Sequence, residues 1–161
     1  MAITKPDWDA VPGHEGAHIS ALCQNKLTDD TLNHCAHFVS HALGITLGYT
    51  CAKQTGGKND AASIRVHEIF AACNAVGKWA DRPASLDPCL IFITNANNVD
   101  LKKKTMVNHP RKHIGVYKGG WIYHYSNTKD KVVKQDAEDF KKHYSPPFNG
   151  LFYGDIGKFV K

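Results

Sequence analysis

The stretch His113-Ile-Gly-Val-Tyr-Lys-Gly-Gly-Trp-Ile-Tyr-His124-Tyr-Ser-Asn127 most constrains the fold, because it reads as two strands joined by a two-residue turn. Aromatic and β-branched residues crowd both flanks, and Gly119-Gly120 supplies the positive φ that a tight hairpin turn demands. Pairing Lys118 with Trp121 puts Tyr117 opposite Ile122, Gly115 opposite His124 and His113 opposite Ser126. His113 and His124 then share one sheet face as diagonal neighbours, and Gly115 leaves room for the His124 ring. They are either a base with its orienting partner or two ordinary strand histidines, and a slip of one residue would separate them.

A second stretch, Leu32-Asn-His-Cys-Ala-His-Phe-Val-Ser-His-Ala-Leu-Gly44, predicts a short helix with Asn33 as N-cap and Gly44 as the stop. Cys35, Phe38, Val39 and Ala42 fall on one apolar face at helical spacing. Cys35 sits in the first turn, where the helix dipole and unpaired backbone N–H groups favour thiolate and could hold an oxyanion. A lone cysteine on an apolar helix face is more often a structural one. What points to chemistry is the pair of histidines far along the chain, since a cysteine nucleophile needs a base and the base needs an orienting group.

Asn-His-Cys-Ala-His-Phe-Val followed by His-Ile-Gly-Val-Tyr and a hairpin resembles the NlpC-type cell-wall peptidases of the papain-like fold. The related CHAP amidases and the amidase effectors of type VI secretion systems share this pattern. The resemblance spans roughly residues 30 to 127 and includes the turn and buried strand at Leu86-Asp87-Pro88-Cys89-Leu90-Ile91-Phe92. It implies Cys35 as nucleophile, His113 as base and His124 as the third residue, with Ser126 and Asn127 as alternatives for that role. It also implies hydrolysis, through a thioester, of an amide bond in peptidoglycan stem peptides. The chain departs from the pattern where His34 replaces the usual Asp or Asn, where Pro88-Cys89 replaces Gly-Asp, and in a longer, more basic loop from Thr94 to Lys112. A deamidase or isopeptidase of the same fold acting on proteins is the alternative activity, and an inactive binding domain is a third reading.

A length of 161 residues is enough for one domain, residues 1-161, with a real core, and 42% hydrophobic and 22% charged residues suit a soluble globular chain. No apolar run reaches the length of a membrane span. The opening Met1-Ala-Ile-Thr-Lys-Pro-Asp-Trp-Asp lacks the apolar core of a signal peptide. A cell-wall enzyme of this kind would be secreted or injected into the target-cell periplasm by dedicated machinery, and its producer would need an immunity protein. A monomer is expected. The net charge of +5 is modest, and no nucleic-acid motif accompanies it. Lys102-Lys103-Lys104 and Arg111-Lys112 precede His113 and are expected at the rim of a cleft; Lys141-Lys142 lie further on.

Five cysteines (Cys23, Cys35, Cys51, Cys73, Cys89) leave four besides Cys35, which allows two disulfides by three pairings or four buried thiols. None forms a Cys-x-x-Cys pair, so the sequence carries no strong zinc signature. His34, His37 and His41 share one side of the predicted helix, expected to face solvent, so neither metal nor cofactor is expected. His109 is a weaker rival to His113.

In chain order, residues 1–16 read as irregular and Ala17 to Lys26 as a short helix leading to a turn at Thr28-Asp29-Asp30. Thr46 to Lys58 reads as a loop with Gly56-Gly57 at its tip. A helix opened by Asp60 or Ser63 follows, carrying Ile64, Ile69, Ala72, Cys73 and Val76, with Gly77 and Pro83 at its end. Cys89 to Thr94 reads as a buried strand. Asp136 to His143 reads as helical up to Pro146-Pro147, and Leu151 to Tyr153 as a last strand. Helices first and strands later predict an α+β fold with an antiparallel sheet packed against N-terminal helices.

Overall fold

A computed structural model of the chain describes residues 6–29, 32–59, 61–108, 111–143 and 150–156. The expectations resting on Asp30, Asp60, His109 and Pro146-Pro147 lie outside those residues. The fold is α+β. Six strands form one antiparallel sheet in the order β1 (Ala75–Lys78), β8 (Gly150–Asp155), β2 (Cys89–Thr94), β5 (Lys112–Lys118), β6 (Trp121–Ser126), β7 (Lys131–Gln135). The two remaining strands, β3 (Val99–Asp100) and β4 (Thr105–Met106), make a small separate ribbon.

The hairpin has the expected register next to its turn, with Lys118 paired to Trp121 and Tyr117 to Ile122; the ladder stops at Val116–Tyr123, so the expected Gly115–His124 and His113–Ser126 pairs are not part of it. Gly119 and Gly120 both adopt positive φ, 61° and 88°, as a turn matched to the twist of its strands requires. Asp87, in the turn before β2, fastens the hairpin by accepting the Gly119 N–H at 3.0 Å. β2 lies between β8 and β5 with all six residues buried, which explains its unbroken apolar run.

α1 (Cys35–Leu43) ends at Gly44 in the left-handed conformation. Its N-terminus is capped one residue earlier than the helix boundary suggests: Asn33 Oδ1 accepts the Cys35 N–H at 3.0 Å, and Asn127 Oδ1 accepts that of His34 at 3.1 Å. The expected apolar face is only part of what is covered. Every α1 residue except His41 is buried, because α1 packs between the sheet strands β5 and β6, the 3-10 turn Trp8–His14 and the short helix α3 (Val66–Ala72), with α2 (Cys51–Thr55) following it in the chain. Cys35, Phe38 and Val39 join Ile114, Val116 and Tyr125 in the main core.

Several segments differ from the sequence reading. Within the irregular N-terminal stretch, Trp8 and Val11 are both buried, and their three-residue spacing suits the 3-10 turn that holds them. The helix expected over Ala17 to Lys26 is a single 3-10 turn. The Thr46 to Lys58 loop contains α2, with the Thr50 hydroxyl capping Lys53 N–H and Gly56 ending it. Helix α3 starts only at Val66, since Ser63 is used in bonding Leu47 through both its donor and its acceptor. Gly77 lies inside β1, where any Cβ would collide with the Tyr153 ring. α4 (Ala137–His143) appears as expected. Among the described residues, no helix is long and apolar enough to cross a membrane.

Candidate functional site

His113 and His124 meet as the hairpin register requires: His113 Nε2 lies 3.0 Å from His124 Nδ1, with the rings edge to face. Both rings lie against Phe140 of α4. On the far side, His124 Nε2 bonds to Gln135 Oε1 of β7. A carbonyl oxygen only accepts, so His124 must donate from Nε2 and carries its lone pair on Nδ1. His113 then donates from Nε2, and Nδ1 is left as its basic nitrogen. The chain of bonds therefore fixes the tautomer of His113, which is what a positioning group does for a general base.

Cys35 opens α1, and its sulfur receives the backbone N–H dipoles of Ile114, the residue after His113, and of Ala36. Among the described residues no hydrogen bond joins that sulfur to a histidine ring. Burial pushes the Cys35 thiol up to about 11, against smaller opposing effects of these N–H groups and the Lys112 ammonium. Desolvation thus outweighs the helix N-terminus and favours the neutral thiol over the expected thiolate. The expected oxyanion donor is also partly taken, since the Cys35 N–H is bonded to Asn33.

A cleft of about 260 Å³ opens at Cys35, walled by Asn33, Ile64, Arg65, Val66 and Lys112. Lys112 is half-buried, and desolvation lowers its pKa together with the like charge of Arg65, while Cys35 acts in the opposite sense. Two cations face one small cleft, an arrangement that a bound anion would relieve. Of the expected basic rim, Lys112 alone of the named lysines borders this cleft. Lys102 lines a separate cavity beside β3, and Lys104 donates to the Cys73 carbonyl.

The alternatives for the third catalytic position have other tasks. Ser126 Oγ accepts the Lys129 N–H in the β6–β7 turn, and Asn127 tethers α1. Gln135 was not legible as a partner, because nothing in the sequence around it marks β7 as the neighbour of β6.

The histidines of α1 require a correction. His34 and His37 are buried and His41 is half-buried, so the side expected to face solvent is covered. His37 Nε2 lies 3.1 Å from His41 Nε2, and the ligand atoms of Cys23, His37, His41 and Cys51 all lie within 4.8 Å of one another. Burial beside His41 and His34 pushes the His37 pKa down to about 3, so it is neutral. All five cysteines are free thiols, and neither disulfide is formed.

Fold and side chains together define an α+β protein with a buried cysteine at the start of α1 and a bonded histidine pair on β5 and β6 packed against Phe140. No family model, no curated protein and no solved structure matches this chain.

Proposed function

We propose that the chain is a papain-fold cysteine hydrolase that cuts amide bonds of peptidoglycan stem peptides, with Cys35 as nucleophile, His113 as general base and acid, and His124 positioning His113. One observation carries the reading. The Cys35 sulfur takes the backbone N–H of Ile114, the residue next to His113 on β5, and the His113–His124–Gln135 bonds set the tautomer of His113. The reaction requires His113 to reach the Cys35 sulfur, a bond of the kind that is often long or poorly aligned until substrate is in place.

In the proposed reaction Cys35 gives its proton to His113 Nδ1 as the sulfur bonds to the carbonyl carbon. The C–N bond then breaks, and the leaving amine takes the proton from His113. Water attacks the thioester and passes a proton to the same nitrogen. The S–C bond breaks, the acid departs, and the thiol regains its proton. Arg65 and Lys112 supply what a stem peptide asks of a site, since such peptides carry free carboxylates and the two cations share the Cys35 cleft. Asn33 lines that cleft and offers a carboxamide donor near the reacting carbonyl. A hydrolase of this kind, delivered into a rival's periplasm, would oblige its producer to keep an immunity protein that plugs the cleft.

Incubation of the purified protein with peptidoglycan sacculi, followed by analysis of released muropeptides, tests the reading. The expected result is new peptide ends from the native protein and none from a folded Cys35→Ala variant. Intact sacculi, with activity instead on protein glutamine or isopeptide bonds, would transfer the same machinery to the deamidase or isopeptidase alternative.

A further inference from the structure

We infer that Cys23, His37, His41 and Cys51 form a structural zinc site. The inference is independent of the hydrolytic reading and uses none of its residues. Four ligand atoms of the types zinc prefers converge from three segments: the loop after the 3-10 turn Ile19–Ala21, the middle of α1, and the start of α2. A tetrahedral zinc with bonds of ~2.0 Å to nitrogen and ~2.3 Å to sulfur holds its ligand atoms ~3.3–3.8 Å apart. Here the two Nε2 atoms are 3.1 Å apart, Cys51 Sγ is 3.7 Å from His41 Nε2, and no pair in the group exceeds 4.8 Å. Small side-chain shifts would close the shell.

The surroundings are built for ligands rather than for a plain polar core. His34 Nε2 bonds the Asp29 carbonyl at 2.8 Å and so must carry its proton there, which leaves His34 Nδ1 as an acceptor. His37 Nδ1, 3.1 Å away, donates to it. The His37 Nε2 lone pair is thereby aimed into the cluster, the outer-shell arrangement that orients metal-bound imidazoles. Cys51 Sγ receives N–H groups from the Asn25 carboxamide and the Ala62 backbone, each at 3.3 Å. Burial pushes the Cys23 thiol up, and the backbone N–H groups of Leu27 and Asn25 aimed at its sulfur oppose that. Such donors stabilise sulfur that carries negative charge. Asn25 is itself pinned by accepting the Asn59 N–H, and a Cβ at Gly57 would overlap its carboxamide. A cleft of about 320 Å³ that includes His41 gives a path for entry. Binding would turn two thiols into thiolates and release two protons, leaving a neutral Zn(Cys)2(His)2 unit.

The test uses the full chain, free of any histidine tag, reduced, freed of disulfide and incubated with equimolar zinc before desalting. Elemental analysis should find about one zinc per chain, and native mass spectrometry should find the mass of one zinc less two protons. Cys51→Ala and His41→Ala should lower zinc content at least tenfold, whereas Cys73→Ala, at a buried cysteine outside the cluster, should keep it. Should the ligand variants fail to fold, cobalt(II) added to the native chain decides instead. Visible absorption of a tetrahedral, thiolate-ligated cobalt supports the site. Zinc below a tenth of stoichiometric, no such absorption, or equal zinc in Cys51→Ala would overturn it.

Discussion

At the scale of single residues, His113 and His124 carry unequal loads. His113 is the group proposed to move protons, and its removal should lower kcat/KM by about 10³-fold. His124 acts through His113, so His124→Ala should cost roughly 10–100-fold, by analogy with other orienting partners. His124→Gln should recover part of that loss, because its carbonyl can accept the same His113 N–H, and the acid limb of the pH–rate profile, set by protonation of the base, should move with it. Steady-state kinetics of the three variants on one peptide substrate checks the order. A His124→Ala defect larger than that of His113→Ala would reverse the assignment of base and partner.

At the scale of elements, the hairpin was legible because its turn glycines and alternating residues act locally. The α1 stop at Gly44, the buried β2 and the helical turn of α4 were legible for the same reason. What the sequence did not disclose depends on packing between distant segments. α1 looks amphipathic alone, yet the segments gathered around it bury its polar side, so His34 and His37 are core residues. β1 and β7 are short and carry weak periodicity, and β8 lies between β1 and β2 rather than at an edge. The Cys23, His37, His41 and Cys51 group has no signature spacing, since two of its members come from outside α1. Gly115 gives an element-level prediction. A Cβ there would sit 3.1 Å from both His124 Cβ and Ile122 Cγ2 and 3.2 Å from the Tyr123 carbonyl. Gly115→Val should cost ~1–3 kcal/mol in denaturant unfolding and displace the His124 ring. Activity should fall further than the stability loss accounts for. A variant as stable and as active as the native protein would mean that the β5–β6 register differs from that described.

At the scale of the whole molecule, the buried thiols of Cys73 and Cys89 make the fold sensitive to alkali. Burial pushes Cys73 and Cys89 each up to about 12 from an ordinary 9.0. The unfolded chain releases those protons first as pH rises, so their contribution to stability is complete below pH 9 and is lost between pH 9 and 12. Urea midpoints should be level from pH 7 to 8.5 and fall above pH 9, with a shallower fall in the Cys73→Ala, Cys89→Ala double variant. An identical slope in the two proteins would contradict this. The central claim is that Cys35 forms a covalent bond with its substrate, and acid-quenched intact-mass measurement during turnover of a stem peptide tests it most directly. The account predicts an acyl adduct that maps to Cys35 and is missing in Cys35→Ala and His113→Ala. Turnover with no adduct, or with an adduct on another cysteine, would contradict it.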